Sequence, residues 1–204
     1  LDLRRLIPDV NLRYEFKNAG LTIMEKSSLI FSGTGSLIGK TFPYTFGGDF
    51  YIQKFNLVNE ITDYMKGRKT LSGSDIDYLP AATGESSGQL LNFNLNVVTR
   101  EPIYIRNSLA DLGFVGNLQV LGGERDPRVI GKIDLAARRN KVTFKNNEFL
   151  FTKGSMFFIE RNKYTNPLLD FVTTSTINNH KVSVKLIGPV KDYKLELSSE
   201  PTLA

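Results

Sequence analysis

The segment Val10-Asn11-Leu12-Arg13-Tyr14-Glu15-Phe16 alternates apolar and polar residues. Side chains of an extended strand point to opposite faces in turn, so such a stretch sets one face against something apolar and the other in water. The same period recurs at Leu91-Phe93-Leu95-Val97, Phe114-Gly116-Leu118-Val120 and Val129-Gly131-Ile133-Leu135. It returns at Val142-Phe144, Phe149-Phe151, Met156-Phe158, Leu169-Phe171, Val182-Val184-Leu186 and Tyr193-Leu195-Leu197. Short clusters punctuate these runs: Asn18-Ala19-Gly20, Lys26-Ser27-Ser28, Gly47-Gly48, Gly122-Gly123, Asn146-Asn147, Asn178-Asn179 and Gly188-Pro189. Asn and Gly accept the positive φ of tight hairpin turns, so each cluster is read as a turn. The pattern predicts an all-β, mostly antiparallel chain, as a meander, sandwich or barrel. No alternating helices are present to make the crossovers of a parallel α/β sheet.

One stretch departs from this period. Leu57, Val58, Ile61, Tyr64 and Met65 fall at helical spacing, which predicts one short amphipathic helix over Asn56–Lys66. From Gly67 to Gly88 the chain is rich in Gly, Ser and Thr and reads as a polar loop or crossover linker. It divides the chain into an N-terminal strand group, 1–66, and a C-terminal β domain, 89–204.

At 204 residues, the chain can bury a sizeable core as one large domain or two small ones. Hydrophobic residues make up 41% and charged residues 23%, which excludes a disordered composition. No run approaches the roughly 18 apolar residues of a membrane-spanning helix. The residues from Leu1 do not form a basic, apolar, small-residue leader, which places any secretion signal upstream of this sequence. Cysteine is absent and there is one histidine, so disulfides, thiolate chemistry and His-based metal centres are not expected. The formal charge of +5 is spread among interleaved acidic residues instead of forming the basic patch of a nucleic-acid binder.

No motif carries catalysis. Gly33-Thr34-Gly35-Ser36-Leu37-Ile38-Gly39-Lys40-Thr41 resembles a phosphate loop only in outline, because Thr34 stands where that motif needs glycine and no helix start follows. It reads as a strand with small residues. Asp75-Ile76-Asp77 lacks further oxygen ligands at a recognisable spacing and reads as solvated loop. His180 sits in a hairpin turn, and no G-x-S-x-G elbow offers a serine nucleophile. Arg138, Arg139, Lys141, Lys153, Arg161 and Lys163 read as solvated strand ends, or more sharply as a rim attracting anionic head groups. The chain is not expected to be an enzyme or to carry a cofactor.

The C-terminal half carries an ordered series of elements. They are Gly116-Asn117-Leu118-Gln119-Val120, the Gly122-Gly123 turn, Pro127-Arg128-Val129-Ile130-Gly131-Lys132-Ile133, Val142-Thr143-Phe144, and Gly154-Ser155-Met156-Phe157-Phe158. Asn166-Pro167-Leu168-Leu169-Asp170, Val184-Lys185-Leu186-Ile187-Gly188 and Leu197-Ser198-Ser199-Glu200-Pro201-Thr202-Leu203 complete it. This series, over about residues 90–203, resembles the TamB (translocation and assembly module) C-terminal domain family. Family members often carry a glycine-rich turn where this chain has Ala137-Arg138-Arg139-Asn140, and continue past the point matching Ala204. The resemblance implies a periplasmic protein of a diderm bacterium, anchored in the inner membrane and similar to bridge-like lipid transfer proteins. It implies a curved, folded-over sheet, a half-barrel left open with an apolar concave face. The implied partners are phospholipid and, through a terminal segment, a TamA-type outer-membrane barrel; an isolated piece of such a sheet would expose edges that favour dimers.

Two outcomes follow for the apolar side chains. They either close as the core of a β-sandwich, or line a trough that shields lipid acyl chains. The expected lining is Phe93, Leu95, Leu118, Val120, Ile133, Leu135, Val142, Phe144, Phe149, Phe151, Met156, Phe158, Leu169, Phe171, Val184, Leu186, Leu195 and Leu197, with Phe144 mid-trough. The rival function is an assembly scaffold whose free edges pair with client strands by β-augmentation.

Overall fold

The computed structural model describes residues 8–24, 27–57, 88–160 and 166–202. Twelve strands form among them: β1 (Val10–Met24), β2 (Ser27–Gly39), β3 (Tyr44–Leu57), β4 (Leu91–Thr99), β5 (Ile103–Arg106), β6 (Ala110–Gly123), β7 (Arg128–Leu135), β8 (Lys141–Phe144), β9 (Asn147–Phe158), β10 (Leu168–Ile177), β11 (His180–Pro189) and β12 (Lys194–Glu200). All belong to one sheet ordered β1-β2-β3-β4-β6-β7-β9-β10-β11-β12. The sheet is curved without closing into a barrel, and β1 and β12 are its edges.

Hairpin chemistry sets most of this order. Lys145 and Asn146, with φ of 46° and 64°, join β8 to β9, and Asn178 and Asn179, with φ of 47° and 65°, join β10 to β11. Paired positive φ values match the twist of the flanking strands. One contact is parallel: β3 runs beside β4 from Tyr44↔Leu91 to Ile52↔Thr99. The long connection between Leu57 and Leu91 makes this pairing available, because parallel neighbours need a crossover of about a dozen residues or more. Two sheet positions are held by broken strands. β5 takes over from β4 between β3 and β6, and β8 takes over from β7 between β6 and β9. The first break falls at Arg100-Glu101-Pro102, where proline offers no N–H to a ladder.

The second break, Ala136 to Asn140, is closed by one side chain. Asn140 is 3% exposed. Its Oδ1 accepts from the Gly113 N–H at 2.7 Å, and its Nδ2 donates to the carbonyls of Ala136 at 2.9 Å and Arg138 at 3.0 Å. A buried backbone that leaves its ladder must find other partners, and Asn140 supplies them.

Three sequence expectations need correction. Asn56 and Leu57 end β3 and do not open a helix; the rest of the Asn56–Lys66 segment and nearly all of the Gly67–Gly88 loop lie outside the described residues. Asn18-Ala19-Gly20 is not a turn. The β1–β2 register steps there from Phe16↔Gly33 to Ala19↔Phe31, a β-bulge that Asn18 accommodates with a φ of 50°. Gly47-Gly48 lies inside β3, opposite Ser36 and Gly35.

Two more bulges share that logic. In β3 the register against β2 steps from Phe31↔Ile52 to Ile30↔Lys54, and in β9 the register against β10 steps from Thr173↔Phe151 to Val172↔Lys153. An extra residue reverses the face of every side chain beyond it. The sequence reverses its apolar phase at the same three places: Phe16 to Ala19 and Leu21, Ile52 to Phe55, and Phe151 to Met156. The bulges therefore keep the apolar residues on one side of the sheet.

Candidate functional site

Residues directly opposite in a ladder project on the same side. From Tyr14 the register passes through Gly35, Gly48, Leu95 and Val120 to Val129. From Phe16 it passes through Gly33, Phe50, Val97, Leu118 and Gly131 to Phe158. Phe93 lies opposite Phe46. Farther on, Ile133 faces Met156 and then Leu169, while Phe171 faces Leu186 and then Leu195. Thr173 brings in Val184 and Leu197. Leu135 joins through Phe114, Val142 through Phe149, and the Phe151 ring lies 5.9 Å from that of Phe171. One apolar face thus crosses the sheet from β1 to β12.

The face is not a sealed core. Among the described residues, the buried apolar side chains larger than glycine are Tyr44, Ala110, Ala136 and Pro167. Of the residues named as lining from sequence, Leu195 and Leu197 are 56% and 68% exposed on the β12 edge. Phe144 is 63% exposed and ends β8 at a hairpin tip, with the Lys145 ammonium 5.7 Å from its ring centre; it is not mid-trough. The remaining members are half-buried. All twelve strands share one sheet, so no second sheet among the described residues makes these side chains a sandwich core.

Sequence reasoning missed the N-terminal part of the face. Tyr14 stacks on Phe46 with ring centres 5.1 Å apart, and Phe16 lies 5.6 Å from Phe31 and 6.3 Å from Phe50. Gly33 and Gly35 make the floor for these rings: a Cβ on Gly33 would lie 2.8 Å from the Phe50 ring, and one on Gly35 would strike the Tyr14 hydroxyl. The signal was present as glycines facing aromatics, but it needs the register to be read.

The opposite face is charged and internally paired. Lys132 meets Asp134 at 2.7 Å, and Ser155 Oγ donates to the same carboxylate at 2.6 Å. Burial alone would raise the Asp134 pKa, but these partners outweigh it and lower it. Arg138 Nη2 donates to Asp111 at 2.9 Å, and its guanidinium also lies 5.2 Å from the Tyr104 ring. Arg139 and Lys141 both pair with Glu148, and Lys153 pairs with Asp170. These cations are engaged within the chain, so they do not form the free rim considered from sequence; Arg161 and Lys163 lie outside the described residues. His180 opens β11 with Nδ1 2.9 Å from the Asn178 carbonyl. A depression on this face is lined by Arg13, Glu15, Thr34, Ser36, Asp49, Asn94 and Asn96 and suits polar groups.

Among the described residues, no helix is long and apolar enough to cross a membrane. The family model described as the TamB C-terminal domain matches residues 55–204, beginning inside β3. No curated protein matches the chain.

Proposed function

The chain belongs to the TamB C-terminal domain family, a transport and assembly module of the cell envelope, and from that premise we propose that its apolar face shields phospholipid acyl chains travelling through the periplasm between inner and outer membranes. The observation that carries this reading is the unbroken apolar face on an open sheet. Strands stand about 4.8 Å apart, so the ten-strand path makes an apolar strip on the order of 40 Å long. Each methylene kept out of water is worth about 0.8 kcal/mol, so a chain of about 16 carbons exposed to water costs on the order of 10 kcal/mol. A continuous apolar strip removes that barrier, and the work requires shape and apolarity instead of a catalytic group.

Mass spectrometry of an organic extract tests this, with a β-sandwich of similar size purified in parallel. Near-stoichiometric phospholipid in the extract, absent from the control, is the expected result. A lipid-free extract from protein purified without detergent would count against it.

A second reading rests on the free edges. Among the described residues, β12 ends the strand order as an edge, and it exposes Leu195 and Leu197. Such an edge suits β-augmentation by a client outer-membrane strand or a TamA-type barrel. Cross-linking from β12 to an added strand, without lipid in the extract, would favour it.

A further inference from the structure

Exposed apolar side chains collect in the turns at one end of the sheet. The segment joining β2 to β3 carries Phe42, that before β4 Leu90, that after β9 Ile159, and that joining β11 to β12 Val190 and Tyr193, all between 39% and 57% exposed. The register puts them along the same end of the sheet. Tyr44 N–H donates to the Leu90 carbonyl at 2.8 Å, and Val190 N–H donates to the Pro167 carbonyl at 3.0 Å beside the start of β10. Three of the turns at the other end are polar: Arg100-Glu101-Pro102, Lys145-Asn146 and Asn178-Asn179. There the exposed Tyr104 and Phe144 lie under cations, Arg106 at 4.7 Å from Tyr104 and Lys145 at 5.7 Å from Phe144.

The proposed acyl path does not account for this rim. Leu90 and Ile159 stand one residue out of step with Leu91 and Phe158, and Phe42 lies in a turn. Val190 and Tyr193, by contrast, are in step with Leu186 and Leu195, so the rim is continuous with the apolar face. Lysines accompany the apolar tips: Lys40 is two residues from Phe42, Lys191 follows Val190 and Lys194 follows Tyr193. Separate apolar tips, with an ammonium near Phe42, Val190 and Tyr193 and a carboxylate beside Leu90 (Glu124) and Ile159 (Glu160), suit the boundary of a bilayer, where tips enter the acyl layer and lysines meet phosphates. A protein partner instead calls for a contiguous packed patch.

We infer that this end of the sheet docks onto the surface of a phospholipid bilayer carrying anionic head groups, and that acyl chains pass there between bilayer and apolar face. The passage rests on the lipid-shielding reading; the docking does not.

The chain contains no tryptophan, so single reporters read each position cleanly. Phe42→Trp and Tyr193→Trp probe the rim, and Phe144→Trp probes the opposite end. The probe is vesicles of phosphatidylglycerol and phosphatidylethanolamine with brominated acyl chains. Emission from the two rim reporters should shift to the blue and fall by about half or more on vesicle addition, while the reporter at 144 stays unchanged. Equal quenching at 144, or none at 42 and 193, overturns the docking. The double change F42S/Y193S should lower vesicle partition about tenfold yet keep the lipid recovered by extraction. Lipid in the extract without rim quenching rejects the docking alone. Rim quenching with a lipid-free extract keeps the docking and rejects the acyl path.

Discussion

The Tyr14 hydroxyl on β1 donates to the Gly47 carbonyl on β3, 2.9 Å away, reaching across β2 at Gly35. Burial raises the Tyr14 pKa, which keeps the hydroxyl protonated as a donor. Its ring stacks on Phe46 and on Phe50, 5.1 and 6.2 Å between centres. One side chain thus binds three strands, and it can do so only because Gly35 leaves its space empty.

Alanine at position 35 tests this through the sign of the effect. In a strand interior, Gly→Ala ordinarily gains about 0.5–1 kcal/mol from chain entropy. Here the added Cβ would meet both the Tyr14 hydroxyl and the Gly47 carbonyl, so Gly35→Ala should destabilise by about 1–3 kcal/mol. Tyr14→Phe, which loses only the hydrogen bond, should cost about 1 kcal/mol. Urea unfolding measures both. A stabilised Gly35→Ala would mean that the ring does not lie over Gly35.

A carboxylate separates the middle of the apolar face from its margin. Ile133 stands between Gly116 and Met156, with ladders on both sides, whereas Phe144 ends at a hairpin tip. Ile133→Asp should abolish recovery of phospholipid, because an unpaired charge among acyl chains is costly. Phe144→Asp should leave recovery nearly unchanged. Circular dichroism confirms that each variant is folded before lipid is measured. Equal loss in both would place Phe144 on the path.

Much of this fold is legible as alternation, and the illegible parts have physical causes. Asn178-Asn179 announces a hairpin because its turn is local in sequence. Asn18-Ala19-Gly20 also carries turn-favouring residues but forms a bulge, because the partner β2 continues past it; only tertiary pairing tells the two apart. The apolar members of the C-terminal half were readable one strand at a time. Their union with Tyr14, Phe31 and Phe50 depends on β3 lying parallel to β4, a long-range pairing that no local spacing encodes. The phase reversal between Phe151 and Met156 stands in plain sequence, yet its meaning as a bulge emerges only from the register with β10.

Acid should loosen the sheet where β7 breaks. Burial alone would raise the Asp111 pKa, but the hydrogen bond and charge of Arg138, together with Arg106, outweigh it and hold the carboxyl below its ordinary 3.8. A group with a lowered folded pKa contributes stability above its ordinary value and loses it as pH falls through the folded one. Wild-type protein and Asp111→Asn should therefore differ most at neutral pH and converge below about pH 4. Urea midpoints from pH 7 to pH 3 measure the difference. A gap that did not begin to narrow between about pH 4 and pH 3 would assign the effect to packing and not to charge.

Thr152 is the extra residue of the β9 bulge, exposed and with its Oγ1 3.3 Å from the Val172 carbonyl. Its side chain contributes little, but its presence in the count sets the facing of Phe149 and Phe151. Thr152→Ala keeps the count and should cost under about 1 kcal/mol. Deleting Thr152 removes the bulge and turns both phenylalanines to the charged face, breaking the 5.9 Å contact between Phe151 and Phe171. At roughly half of the 1.5–3 kcal/mol of full burial for each of the two half-buried phenylalanines, the deletion should cost about 1.5–3 kcal/mol in urea unfolding. If the deletion proved as mild as the alanine change, register against β10 would not be what holds these rings on the apolar face.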